Sequence, residues 1–543
     1  MSRKKISWTE QQLLAIKQRG RDVLVTASAG TGKTAVLSGR CVDIVSDAEK
    51  CPSIWNILVL TFTEMAAEQM RERIGEQLRA KVLEEKGDEH LRRQSILLGG
   101  ADISTIHSFC KRLITEHFYE LGLDPRFRVI DEDEQRLLKS EVLEEVLEWA
   151  WGQSNIAAGM ESLLRGRDLR LDGGFISNII GLSEFLDGVV SRENWYERAE
   201  VLAGLINPYE GKLGEKQKQV IARELQQIMG QLRWSKRLYE RQGGGDWAVK
   251  CEEEFIGPVK QCLEYLTCGD WGKFSKVIRG YKKPKVYKPK GVDDSVGEII
   301  RVSVKEAVDR FAGLSELALV NPDYMDKVGG ACSGQTKVII ELVRKFERFY
   351  SEAKLKANCL DFADLERYAL KLLTREGQDG RLVPTETAVG LRERYKYIFV
   401  DEYQDINAVQ QAILDSLSGE DNVFVVGDVK QSIYGFRGTD PGIFARQLNA
   451  ASLDAGEAKS GLRVDLNLSF RSRKGILDFV NRVFGRIMRS SVASIDYDES
   501  AELRQGMEGE SEEKGGPAVE LVIVDSDEES MVGERGSVRA RYS

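Results

Sequence analysis

Short, unbroken apolar runs recur along the first part of this chain, and each ends in glycine, hydroxyls, acids or amides. Residues 22–27 (DVLVTA), 56–61 (NILVLT) and 103–106 read as strands buried on both faces. Helical spacing between them predicts helices over 7–20, with Thr9 as the cap, then 33–45, 64–78 and 107–119. Strands alternating with helices in this way predict a parallel sheet with covering helices.

The pattern changes over 126–344, where amphipathic helical stretches dominate and buried strand runs almost vanish. Glycines at 243–245 and 329–330 are expected to break it, and a helix over 340–355 to carry the chain back. Strands resume at Tyr397 (YIFV), Val423 (VFVVG) and 464–467, with a helix expected over 473–488. Beyond Asp496 the chain turns acidic and glycine-rich, which reads as solvated, with one last strand expected over 519–524. No fixed-period repeat is present.

At 543 residues the chain is long enough for roughly two to four domains. Hydrophobic residues make up 42% and charged residues 30%, ordinary for a water-soluble globular chain. The net charge of −9 argues weakly against a polyanion partner, but local basic patches decide that question. The eight cysteines form no CxxC pair or Cys/His cluster, so free thiols in a reducing cytoplasm are expected, without zinc or an iron–sulfur cluster. The polar N-terminus lacks a signal-peptide core, and no apolar run approaches the ~18 residues of a membrane span.

Three segments carry candidate chemistry. Ala27-Ser28-Ala29-Gly30-Thr31-Gly32-Lys33-Thr34 follows a strand and opens a helix, the context of a phosphate-binding loop, with Ala27 where the general pattern has glycine. Lys33 there suits the β/γ-phosphates of ATP, and Thr34 suits Mg²⁺. Asp401 and Glu402 end an apolar strand, Asp401 as the expected Mg²⁺ carboxylate and Glu402 as the general base for water. Gln431 can sense a γ-phosphate without titrating. Arg471 is a candidate arginine finger from a second domain, and Phe470 a candidate base-stacking ring; RSR equally fits a basic helix start.

Tyr434, Phe436 and Arg437 follow Gln431 closely and suit single-stranded nucleic acid, since rings stack on any base. Thr61-Phe62-Thr63 and Thr105, His107, Ser108 with Phe109 repeat that chemistry at two other strand ends, where core packing is the alternative. Residues 270–290 hold eight Lys/Arg and four aromatics, either a duplex clamp or a solvated loop.

In order, these segments resemble the UvrD/RecB branch of superfamily 1 DNA helicases, with phrasing closest to the N-terminal part of AddA-type helicase–nuclease subunits. WTEQQ resembles the adenine-reading motif, with Gln12 as reader; ASAGTGKT, VLTFTEMAAEQMRERI and STIHSFCKRLI resemble motif I, motif Ia and the next DNA-binding motif. LDFADL resembles the lead-in to motif II, VDEYQDINAVQ motif II itself, VFVVGDVKQSIYGFRG motif III and LNLSFRSRKGIL motif IV, with SFRS where the family often has NYRS.

The resemblance implies an α/β fold built on a RecA-like P-loop NTPase sheet with a large helical insertion. Domain 1A would take residues 1–125 and 345–460, the insertion 1B would take 126–344, and an incomplete 2A with an acidic tail 461–543. It further implies 3′→5′ movement on DNA at single-strand/double-strand junctions, driven by ATP and Mg²⁺ in recombinational repair, in the cytoplasm and off the membrane. The chain is expected to stop before motifs V and VI, leaving room for an AddB-like or other subunit to complete the motor. The alternative is an ATP- and DNA-binding module without motor activity. A small-molecule phosphotransferase lacks any acceptor pocket in the sequence.

Overall fold

The computed structural model describes residues 7–49, 51–85, 87–164, 175–204, 211–243, 245–318, 322–377, 381–456, 461–489, 495–506 and 519–520. By internal contacts the chain forms two compact units, Met1–Leu113 with Tyr368–Ser543, and Ile114–Arg367.

The first unit is built on a six-stranded sheet. Its strands are β1 (Val23–Ala27), β2 (Ile57–Thr61), β3 (Ile103–Thr105), β4 (Tyr397–Val400), β5 (Val423–Gly427) and β6 (Leu462–Leu466). They run in the order β6-β1-β5-β4-β2-β3, and every pairing is parallel. Every strand therefore delivers its C-terminal end to the same edge, where a parallel α/β sheet places its ligands.

Helices α1 (Glu10–Lys17), α2 (Lys33–Val45) and α3 (Glu64–Glu84) flank these strands. Thr9 caps α1 in a full capping box with Gln12. Val25, Val59, Phe399, Phe424 and Val464 share one buried core with Leu37 and Val42 of α2. Each such side chain contributes about 1.5–3 kcal/mol on burial. Arg40 crosses this core, its guanidinium 4.7 Å from the Phe424 ring centre and donating to Ala15 O at 2.6 Å. Burial lowers its pKa to about 9.

The alternating pattern located the first five strands and the α/β class correctly, and several details differ. The second domain was expected to start at 461, but β6 lies in the first sheet, paired with β1 from Val23↔Leu462 to Ala27↔Leu466. The expected break at Gly329 and Gly330 is absent: both lie inside one helix, Pro322–Lys356, which also begins well before residue 340. A glycine pair costs a helix only about 2 kcal/mol, and the packed turns on its C-terminal side outweigh that. A helix at Glu89–Leu97 went unread, because Leu91, Ile96 and Leu97 are its only apolar residues. Of the last expected strand, Val519 and Glu520 are not in one, and 521–524 lie outside the described residues, as do 507–518 of the acidic stretch.

The second unit is helical, with two cores. One joins Val142 and Val146 of Glu132–Trp151 to Phe346 and Tyr350. The other joins Ile221, Leu225 and Ile228 of Lys212–Glu240 to Ile300, Val304 and Phe311 of Asp294–Leu317. The LDFADL segment closes a buried polar network here: Lys354 Nζ lies 2.8 Å from Asp361 and 2.6 Å from Asp364, and the Tyr350 hydroxyl donates to Asp361.

For the basic stretch over 270–290, a duplex clamp or a solvated loop is the expectation. Its first half is instead a helix, Trp271–Gly280, with Trp271 and Phe274 in the core. Tyr281 packs against that core as well, which leaves Tyr287 as the exposed ring of the four.

Candidate functional site at the sheet edge

β1 passes through Ser28–Gly32 into the N-terminus of α2. Gly30 and Gly32 sit at φ +81° and +91°, a region that favours glycine. Gly30 is also crowded: a Cβ there would lie 2.6 Å from Arg471 Cβ and 3.0 Å from Ser469 Oγ. The Gly30 carbonyl accepts the Phe470 N–H at 2.8 Å, which docks the SFRS segment onto the loop.

The loop also braces itself. The Thr31 hydroxyl donates to Ser28 O at 2.8 Å, and Gln12 donates its amide to Thr31 O at 3.0 Å while accepting from Thr9 N–H. Thr31 and Gln12 are buried and do not line the cleft described next, and neither does Ala27. Gln12 thus ties α1 to the phosphate loop in this structure.

A cleft of about 430 Å³ opens over the loop, lined by Ser28, Ala29, Gly30, Gly32, Lys33, Thr34, Ala35, Arg73, Glu402, Gln431, Phe470 and Arg471. Residues more than four hundred positions apart in sequence thereby face one space. Lys33 Nζ lies 3.1 Å from both Glu402 carboxylate oxygens. Glu402 itself is left-handed at φ +52°, a strained state for a non-glycine residue and typical of functional sites.

Asp401 lies just beneath, buried, and accepts the Glu402 N–H at 3.0 Å. Burial, and then the Glu402 charge, push its carboxyl up to about 6, against the pull of Lys33 and Arg73. A carboxylate in that setting gains from a cation. With Thr34 in the cleft wall, Asp401 adds a carboxylate to a hydroxyl residue, the hard oxygen chemistry that suits Mg²⁺.

The β5 end ties the loop to the next segment. Asp428 Oδ2 accepts from Ser28 Oγ at 2.9 Å and from Gln431 Nε2 at 2.7 Å, and Lys430 Nζ lies 2.8 Å from Oδ1. Burial raises this carboxyl, but Lys430 and these donors outweigh it and leave it below its ordinary range.

Three to five residues past Gln431 the rings begin. Tyr434 stacks on Phe62 from the β2 end, with centroids 4.9 Å apart and planes at 27°. Phe436 follows, 6.1 Å from Tyr434 and 79% exposed. So exposed a ring is not part of the buried core. Arg437 ends the turn Gly435–Arg437, and its side chain lies outside the described residues.

The other expected nucleic-acid residues divide. Phe62 and Thr63 are exposed, although Thr63 also caps α3. Thr61 is buried and donates to Thr63 O. Thr105 and Ser108 both donate their hydroxyls to Glu64 Oε1, at 2.8 and 2.5 Å. Phe109 is fully buried, so the ring expected to meet a base there is a core ring instead. His107 is half-buried beside them. The carboxylate of Glu64 thus takes the hydroxyls that the strand-end pattern had assigned to phosphates.

A family model, the UvrD/REP helicase N-terminal domain, matches residues 8–451. The chain belongs to that family. It is also similar to proteins named as the A-type subunit of an ATP-dependent helicase/nuclease. The one from Moorella thermoacetica is 36% identical over 538 residues, covering 96% of this chain and 38% of that protein. Those from Bacillus cytotoxicus and Geobacillus kaustophilus are 32% and 33% identical, covering 97% and 98% of this chain but 43% and 44% of their own lengths. The chain therefore spans less than half of the curated relatives it matches.

Within this UvrD/REP domain, three residues at the site escaped the reading of the strand ends. Arg73 reaches the cleft from α3, and its helical position hid it. Asp428 and Gln404 are buried polar residues, at 1% and 2% exposure, inside segments whose neighbours drew attention first. A buried polar side chain needs partners, and both make at least three hydrogen-bond or ion-pair contacts here.

Proposed function

We propose that this chain is the ATP-hydrolysing N-terminal part of a DNA helicase that moves 3′→5′ along single strands in recombinational repair. One observation carries the reading. The segment after β5 holds Gln431 at the nucleotide cleft and, within five residues, Tyr434 and Phe436 in an exposed ring cluster with Phe62. A shift of that segment on hydrolysis would move the stacked bases with it.

In this reading Lys33 and Arg73 neutralise the phosphates, Thr34 and Asp401 hold Mg²⁺, and Glu402 polarises water. Gln431 reports the γ-phosphate, Arg471 supplies transition-state charge, and Phe470 stacks on the base. Domain 1A then runs through β6 to residue 466, and a second RecA-like domain follows. The helical insertion read over 126–344 would be 1B. Pairing with a second polypeptide, action at single-strand/double-strand junctions and a cytoplasmic location complete the proposal; no described helix is long and apolar enough to cross a membrane.

The test is ATP turnover with and without single-stranded DNA. Strong stimulation supports the reading, whereas tight DNA binding with no turnover favours a module without motor activity. Phe436→Ala should remove one base–ring stack, worth about 1–3 kcal/mol, and weaken single-strand affinity roughly 5- to 150-fold. ATP affinity should hold, and equal loss of both would mark the ring as structural.

Asp401 makes the cation step pH-dependent. Its pKa in the folded chain, about 6, lies above the ordinary 3.8, so the folded form holds the proton between those values and loses stability as pH rises through them. Asp401 would have to give up that proton to hold Mg²⁺, so Mg²⁺ affinity should fall by about tenfold per unit once pH drops below the folded pKa. Titrating Mg²⁺ against nucleotide binding at several pH values checks this, and a flat profile would show that no group titrating near 6 holds the ion.

A further inference from the structure

Gln404, in the turn Tyr403–Asp405 after β4, is 2% exposed, and its whole amide is engaged. Nε2 donates to Glu402 Oε2 at 2.8 Å and to Asp405 Oδ2 at 3.0 Å, while Oε1 accepts the Asp428 N–H at 2.8 Å. The site asks for two donor hydrogens facing two carboxylates, plus one acceptor facing a backbone N–H. A glutamine meets that demand. Glutamate would add a third negative charge, and lysine has no acceptor.

The fold also makes room for this amide. β5 ends in Gly427, where a Cβ would lie 2.6 Å from Gln404 Oε1 and 3.1 Å from its backbone N. Asp428, the next residue, binds both the phosphate loop through Ser28 and the sensor Gln431. The bonds therefore run without a gap from Gln431 through Asp428 and Gln404 to Glu402.

Lys33 is the other residue holding Glu402 here. Once Lys33 turns to the phosphates of a bound nucleotide, Gln404 is the remaining side chain hydrogen-bonded to Glu402 among the described residues. We propose that Gln404 is the positioning residue for Glu402 in the nucleotide-loaded state, and that it passes the placement of the β5 segment to the hydrolytic step. This rests on the reading of Glu402 as the general base.

Two variants of the full chain test it, Gln404→Met and Gln404→Glu. Each is measured for DNA-stimulated kcat and KM across acid and neutral pH, with binding of a fluorescent ATP analogue as the check on folding. Gln404→Met should lower kcat on the order of 10²-fold with KM nearly unchanged, the cost of a misplaced catalytic group.

Gln404→Glu should be worst at neutral pH. There its carboxylate faces those of Glu402 and Asp405 and lies against Asp428 of the β5 segment, with Lys33 paired to Glu402 and Lys430 paired to Asp428 as the nearby cations. As pH falls it should recover relative to the unmodified chain, because a protonated glutamate again donates to Glu402 and accepts from Asp428. If Gln404→Met fails to bind the analogue, this pH-dependent recovery decides alone. Turnover by either variant equal to that of the unmodified chain overturns the proposal, as does a deficit in Gln404→Glu that ignores pH. An unmodified chain without ATPase overturns the underlying reading as well, which separates the two failures.

Discussion

Glu402→Gln leaves nucleotide bound and stops its turnover, lowering kcat by about 10²- to 10⁴-fold, the usual contribution of a general base. The substitution removes one charge and almost no volume. Its amide oxygen still accepts from Gln404, now 2.8 Å from Oε2, so the left-handed turn at Glu402 has the same support. What changes is Lys33, which lies 3.1 Å from both carboxylate oxygens and loses its ion pair. A freed ammonium beside the phosphate loop favours an anionic ligand, so ATP affinity should hold or rise while hydrolysis fails. Turnover by rapid quench, set beside equilibrium binding of labelled ATP, separates the two. Matched losses in both would mean that Glu402 is a phosphate-side structural residue.

Lys33→Ala fails differently, losing binding and turnover together. The side chain is only 13% exposed and is the phosphate loop's own cation in a cleft that also holds Arg73 and Arg471. Removing it takes away the charge facing the β/γ-phosphates and leaves Glu402, 36% exposed, to repel them. At an effective dielectric of about 20, one unit charge at 4 Å is worth about 4 kcal/mol, close to three orders of magnitude in affinity before solvent reduces it. A loss of ATP affinity on the order of 10²-fold or more is expected, with only a small change in melting temperature, since Glu402, the partner left behind, is 36% exposed and can be solvated. Titration calorimetry and thermal melts give both numbers. Retained affinity would move the phosphates elsewhere in the cleft.

Much of this site was legible from local pattern. The phosphate loop must follow a strand and open a helix, so ASAGTGKT named its own position, and α2 begins at Lys33 as expected. YIFV and VFVVG announced themselves as buried strands, and a parallel sheet puts their polar ends side by side. Local pattern does not show which of the strand-end hydroxyls and rings already have partners within the fold. Thr105, Ser108 and Phe109 carry the right chemistry for nucleic acid, but Glu64 takes the hydroxyls and the core takes the ring. Such competition depends on residues that are distant in the chain or on the other side of a helix.

The sequence by itself determined the α/β class, the glycine loop between β1 and α2, and the acids and amides at two strand ends, because each depends on a local pattern of residues. Only the tertiary structure decided which of these share a space. It set β6 beside β1 in the first sheet, brought Arg73 to the cleft from α3, stacked Phe62 on Tyr434, and buried Gln404 between Glu402 and Asp428. Those placements follow from strand order and close packing across hundreds of residues, and local propensity carries no record of either.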